Sequence, residues 1–83
     1  MPRSAETIAS QVEVGRRLAL LRARANVSQV EVGKRLGYSQ TAIARFEAGS
    51  RRLTFLDAVA FCALYASPVS VLDPAQPFES GRG

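Results

Sequence analysis

The stretch SQVEVGKRLGYSQTAIARFEAGSRR, Ser28 to Arg52, decides the fold. It carries two short helix-like patterns divided at Gly37 and ends in a pair of arginines. Ser28 with Glu31 three residues on reads as a capping box, in which the hydroxyl and the carboxylate each satisfy an orphan amide at a helix start. Val32 and Leu36 give that helix its inner side, and Gly37 stops it. Ser39 caps a second helix, whose inner residues are Ile43 and Phe46 and whose end is Gly49. Only Gly37, Tyr38 and Ser39 lie between the two. Helices this short, joined so closely, cannot run side by side as a long hairpin. One must cross the other and leave an outer face free.

The surrounding chain is helical as well. Upstream, Val14, Leu18, Leu21 and Ala25 recur at helical spacing, so a first helix is expected from Ala5 or Ile8 to Ala25, closed by Asn26, which tolerates left-handed φ. Downstream, Thr54 and Asp57 form another capping box, opening a helix that runs to about Ala66 with Phe55, Ala58, Val59, Cys62 and Tyr65 toward the core. Pro68 suits the first turn of a short fifth helix, Pro68 to Leu72. The expected fold is all-α: a compact five-helix domain over residues 8–72 with the two-helix unit at 28–49. A flexible N-terminal arm at 1–7 and a flexible C-terminal tail at 73–83, rich in proline and glycine, are expected to flank it.

Eighty-three residues suffice for one core and not for a second. No apolar run has the length of a membrane span or of a signal peptide, which predicts a cytoplasmic protein that does not engage membranes. With a single cysteine, Cys62, and no histidine, the chain lacks an intrachain disulfide and the usual zinc ligand sets. Cys62 sits among Ala, Phe and Leu and reads as a small core residue. The sequence offers no acid cluster, no nucleophile with a base and no phosphate-cradling loop, so no catalytic residue is assigned. No metal, cofactor or small-molecule ligand is expected.

Charge is unevenly spread. From Arg16 to Arg52 there are nine basic residues against Glu31 and Glu47, a surplus of seven; from Leu53 onward Asp57, Asp73 and Glu79 outnumber Arg82. Such asymmetry suggests one basic working face, with nucleic acid as the natural partner and a merely solvated helical surface as the alternative.

The run VGRRLALLRARANVSQVEVGKRLGYSQTAIARFEAGSRRLTFLDAVAFCALY resembles the lambda-repressor-like, Xre-type helix-turn-helix DNA-binding domain, over roughly Val14 to Leu72. The resemblance implies that the third helix enters the major groove of double-stranded DNA, with Gln40, Thr41, Ala44 and Arg45 at base edges. Glutamine can pair with adenine and arginine with guanine, and Ala42 or Ala44 could meet a thymine methyl. Ser28, Gln29, Ser39, Arg51 and Arg52 match positions that grip phosphates, which fix placement rather than sequence; Lys34 and Arg35 are weaker candidates. Arg22 and Glu47 match a structural ion pair between the first and third helices. Gly33, Gly37 and Gly49 are scaffold positions.

The fourth helix departs from the family pattern. TFLDAVAFCALYA holds one charge in thirteen residues, where relatives carry several. Its second apolar face needs a cover. A two-fold homodimer through helices four and five, with contacts at Leu56, Ala60, Leu64, Val69 and Leu72, is expected to supply it. The tail folding back through Phe78, or a different partner protein, are the alternatives. The functional expectation is a dimeric sequence-specific transcription regulator, most simply a repressor at an inverted-repeat operator, with an antitoxin or adaptor that holds another protein as the runner-up.

Overall fold

Three hydroxyl groups start three of the four α-helices. In the computed structural model, which describes residues 5–78 and their side chains from Thr7, α1 spans Ala5–Ala25, α2 Gln29–Leu36, α3 Gln40–Ala48 and α4 Phe55–Leu64. Ser28 Oγ accepts from the Glu31 amide at 3.0 Å, Ser39 Oγ from Ala42 at 3.1 Å and Thr54 Oγ1 from Asp57 at 3.0 Å. Each bond satisfies one of the amides a helix start leaves unpaired. Among the described residues the box is reciprocal at α4, where Asp57 Oδ2 accepts from the Thr54 amide at 3.2 Å. The box expected at Ser28 is half-made, because the Glu31 carboxylate accepts from Arg35 Nε at 2.9 Å one turn along its own helix.

The helix ends follow from backbone handedness. Gly37 and Gly49 close α2 and α3 with φ of 79° and 77°, and Asn26 closes α1 at 58°; all lie in the left-handed region that L side chains mostly avoid. Ala66 adopts it too, at 53°, without glycine's freedom. The chain therefore leaves α4 after Leu64, two residues earlier than expected.

The fold is all-α, with one difference in count. The expected fifth helix is a single 3-10 turn, Val69–Leu72. Pro68 bounds it on one side, and Asp73 bounds it on the other because the residue before a proline is pushed out of helical geometry by the following ring.

The core comprises Leu18 and Leu21 of α1, Val32 of α2, Ile43 and Phe46 of α3, Ala58, Phe61 and Cys62 of α4, and Leu72. Phe61 is fully buried and packs edge-on against Phe46 at 5.3 Å between ring centres; Phe46 meets Tyr38 likewise at 5.2 Å. α1 and α2 both pack on α3. A Cβ on Gly15 would stand 2.5 Å from the Phe46 carbonyl, so the contact of α1 with α3 depends on a missing side chain.

The expected inner face of α4 is corrected. Phe55 is 72% exposed and Val59 lies outside the core, while Phe61 takes the central place. A helix apolar nearly all round carries no period to read, and Phe55, at its first position beside the capping threonine, extends past the core.

The segment boundaries change as well. α1 already begins at Ala5, so part of the expected arm is helix; residues 1–4 and 79–83 lie outside the described residues. Residues 73–78, expected to be flexible tail, are held against α1 by Arg17, which is 4% exposed. Its guanidinium donates to the carbonyls of Val71 (3.1 Å), Asp73 (2.7 Å) and Gln76 (2.7 Å) and to Glu13 Oε2 (2.7 Å). The Phe78 ring lies against both Arg17 and Arg24. The Phe78 ring thus sits on two arginines of α1, and Leu56 on α4 stays 76% exposed.

Candidate nucleic-acid interface

The turn between α2 and α3 sets the two helix starts beside each other. Gln29 is the first residue of α2 and Gln40 the first of α3, each directly after its capping serine. Gln40 Nε2 donates to Gln29 Oε1 at 3.4 Å, and Gln29 Nε2 donates to Glu47 Oε1 at 3.0 Å. Glu47, its side chain 6% exposed, is gripped in turn by Arg22, with Nε to Oε2 at 2.6 Å and the second contact to Oε1 at 3.1 Å. Arg22 also donates to the Val27 carbonyl at 3.1 Å, tying the end of α1 to the start of α2. Four side chains from three helices thus form one hydrogen-bonded line, running from the protein's flank to the outer face of α3.

On that face Gln40, Thr41 and Arg45 are exposed and Ala44 is half-buried; with Ala48 and Ser50 they line a shallow open groove. Ala42 is 6% exposed and faces the core, so it is removed from the residues able to meet a thymine methyl. The guanidinium groups of Arg45 and Arg52 make no hydrogen bond or ion pair with the described residues, leaving both forks open to a ligand. The exposed hydroxyls of Ser28 and Ser39 are committed as caps, and their helix starts keep unpaired amides that favour an anion. Arg51 is placed by aromatic packing: its guanidinium lies 5.0 Å from the centre of Tyr38 and 4.9 Å from that of Phe46. Such stacking restricts the side chain while leaving its N–H edge available.

Tyr38 is itself fixed, its hydroxyl donating to Asp57 Oδ1 at 2.6 Å. Asp57 therefore caps α4 and holds the turn between α2 and α3 with one carboxylate. Burial pushes this carboxyl up, but the bonds from Tyr38 and Thr54, with Arg51 nearby, outweigh it and hold the group below the usual aspartate range. The same bond to Asp57, with burial, pushes the Tyr38 phenol up. Arg35 is engaged by Glu31, and Lys34 stays exposed on α2.

Of the five residues expected at a dimer contact, Leu56 is 76% exposed, Val69 is at the surface, and Ala60 and Leu64 are half-buried. Leu72 is corrected: at 5% exposure it belongs to its own chain's core and offers nothing to a partner. Phe55 and Val59 instead join Leu56 on the uncovered side of α4.

Two positioning residues escape the sequence reading. Gln11 Nε2 donates to the Gly49 carbonyl at 2.8 Å and anchors the end of α3. Arg17 counts toward the basic surplus in sequence yet is buried against residues 71–76; Glu13 four residues before it is the available signal. The repeated Ser-Gln pairs at 28–29 and 39–40 mark the two neighbouring helix starts.

The sequence model of the helix-turn-helix domain family matches residues 13–75. The crystal structure of the DNA-binding domain of BldD is similar in fold, with a TM-score of 0.72 and 22% identity over 87% of this chain and the whole of that one. No curated protein matches the sequence.

Proposed function

The chain belongs to the helix-turn-helix domain family, and from that premise we propose that it is a sequence-specific regulator of transcription that binds double-stranded DNA through α3. One observation carries the reading. The exposed face of α3 presents Gln40 and Arg45, an amide and an unpaired guanidinium, between the anion-attracting starts of α2 and α3 and the Arg51–Arg52 pair. Amide and guanidinium are the groups that read adenine and guanine in the major groove. Serine-capped helix starts and a stacked arginine at the groove's edge suit phosphates.

Gln40, Thr41, Ala44 and Arg45 take the base contacts, and Ser28, Gln29, Ser39, Arg51 and Arg52 the backbone. The protein acts as a homodimer, most simply a repressor occluding a promoter. Phe55, Leu56 and Val59, with Ala60 and Val69, are the surface offered to a second copy; an exposed apolar stripe on so small a domain favours this over a monomer. Two α3 helices set about 34 Å apart would then read an inverted repeat with half-sites one turn apart.

Selection of random duplex DNA on the purified protein, at about 150 mM salt to suppress nonspecific phosphate binding, tests the reading. Enrichment of an inverted repeat supports the dimeric regulator. A single half-site would keep the DNA reading and remove the dimer. No enrichment by folded protein would sink the DNA reading and favour the second one, an antitoxin or adaptor holding another protein through Phe55, Leu56 and Val59.

A further inference from the structure

Glu47 does not line the groove on the outer face of α3, yet it constrains a group that does. As a carboxylate gripped by Arg22 it can only accept, so the Gln29 amide must turn its nitrogen toward it. That choice fixes the other end of the amide: Gln29 Oε1 faces Gln40, which must then donate through Nε2. One N–H of Gln29 and one N–H of Gln40 are thereby used. Gln29 keeps a second N–H, and Gln40 keeps one N–H and its Oε1.

We infer that Glu47 is a specificity-determining residue at second hand, setting the amide polarity of Gln29 and through it the donor–acceptor order that Gln40 presents to DNA. The inference rests on α3 being the reading helix. An amide with one N–H and one oxygen outward matches the N7 acceptor and N6 donor of adenine, but only in one orientation along the groove. A freely flipping glutamine would present both orders and discriminate poorly. The same polarity puts an N–H of Gln29, rather than its oxygen, toward a phosphate, where an oxygen would be repelled. Without the buried acid, neither orientation has a reason to prevail.

The test uses a duplex obtained by selection and its variants at two positions, the base pair under Gln40 and the base pair under Arg45. Wild type should prefer adenine at the first by about tenfold or more. Glu47→Gln, whose neutral amide can donate or accept, should reduce that preference at least about threefold and leave the preference at the Arg45 position unchanged. Because Glu47→Gln also weakens the pair with Arg22, Gln29→Leu serves as the second variant: it keeps that pair, cuts the line one residue further on, and should show the same selective loss over a uniform drop in affinity. An unchanged preference at the Gln40 position in Glu47→Gln overturns the inference, whatever Gln29→Leu shows. So does an equal fall at both positions, which a merely structural role would produce. Should Gln40→Ala leave selectivity at every position intact, the reading of DNA through α3 fails as well, and the two failures are told apart by that variant alone.

Discussion

Replacing Arg17 by methionine should unfasten residues 73–78 without touching the outer face of α3. The arginine is 4% exposed and makes three bonds to carbonyls beyond α4, at 2.7 to 3.1 Å. Hydrogen bonds from a charged group contribute about 1.5–3 kcal/mol each, so the gross loss would reach roughly 5–9 kcal/mol. The net must be smaller, because freed carbonyls on a lifted segment return to water, and methionine still fills the space of the arginine stem. Removing one member of a buried pair costs about 3–5 kcal/mol when it strands the other. Here Glu13 is not stranded, since Arg16 still binds it at 2.7 Å. The expected destabilisation is therefore about 2–3 kcal/mol, or a Tm lower by roughly 10–20 °C in a domain this small. Hydrogen exchange checks the mechanism: the amides of Ala75 and Gln76, both bonded to Asp73 within the segment, should exchange much faster, while those of α3 keep their relative protection. A loss below about 0.5 kcal/mol with unchanged exchange at those amides would refute the reasoning.

Three further outcomes follow from single features. The Glu13 carboxyl is held at about 2, below its ordinary 4.5, chiefly by hydrogen bonds from Arg16 and Arg17; a depressed acid contributes stability above its unfolded pKa, so thermal denaturation should show that contribution intact above pH 4.5 and lost as pH falls toward 2. Gly15→Ala would bring a methyl to 2.5 Å from the Phe46 carbonyl, forcing α1 from α3 at about 1–3 kcal/mol in chemical denaturation despite alanine's better helix propensity. Ala66→Gly relieves a left-handed residue at φ 53° and should stabilise by about 0.5–1 kcal/mol, glycine's greater unfolded entropy taking back part of the gain.

What the sequence made legible was the local chemistry of helix ends. Ser39 and Thr54 cap as expected, Ser28 makes its half of the expected box, and Gly37, Gly49 and Asn26 turn left-handed, because each signal is settled within a few residues. The facing of α2 and α3 was equally open, since their apolar residues recur at 3.6-residue spacing among polar ones. The facing of α4 was not: with apolar residues on every side, Phe55 and Phe61 compete for the core on equal terms, and only the geometry of the other helices selects Phe61. The line from Arg22 to Gln40 was legible as its ion pair alone. Its two amide bonds join residues 18 and 11 positions apart, a proximity that no local period encodes. Residues 73–78 read as tail in sequence because their binding partner is a buried charge 56 or more positions upstream, in a stretch where arginine is ordinarily a surface residue.

Those buried and paired arginines change what net charge says about binding. Of the nine basic residues between Arg16 and Arg52, Arg17 is spent on carbonyls, Arg22 on Glu47, Arg16 on Glu13 and Arg35 on Glu31, and Arg24 lies against Phe78 in the last turn of α1, whereas the stacked Arg51 lies just past the end of α3. Lys34, Arg45, Arg51 and Arg52 remain. Counterion release counts only cations that reach phosphates, so these four, and not the surplus of seven, bound the electrostatic part of DNA binding. A dimer on duplex DNA should then show a slope of log affinity against log salt no steeper than about −7, and Arg52→Ala should lessen it by about one per protomer while lowering affinity for all sequences alike. A slope near −12 would mean that the paired arginines leave their carboxylates on DNA, and that the ion pairs seen in the free protein compete with the complex instead of shaping it.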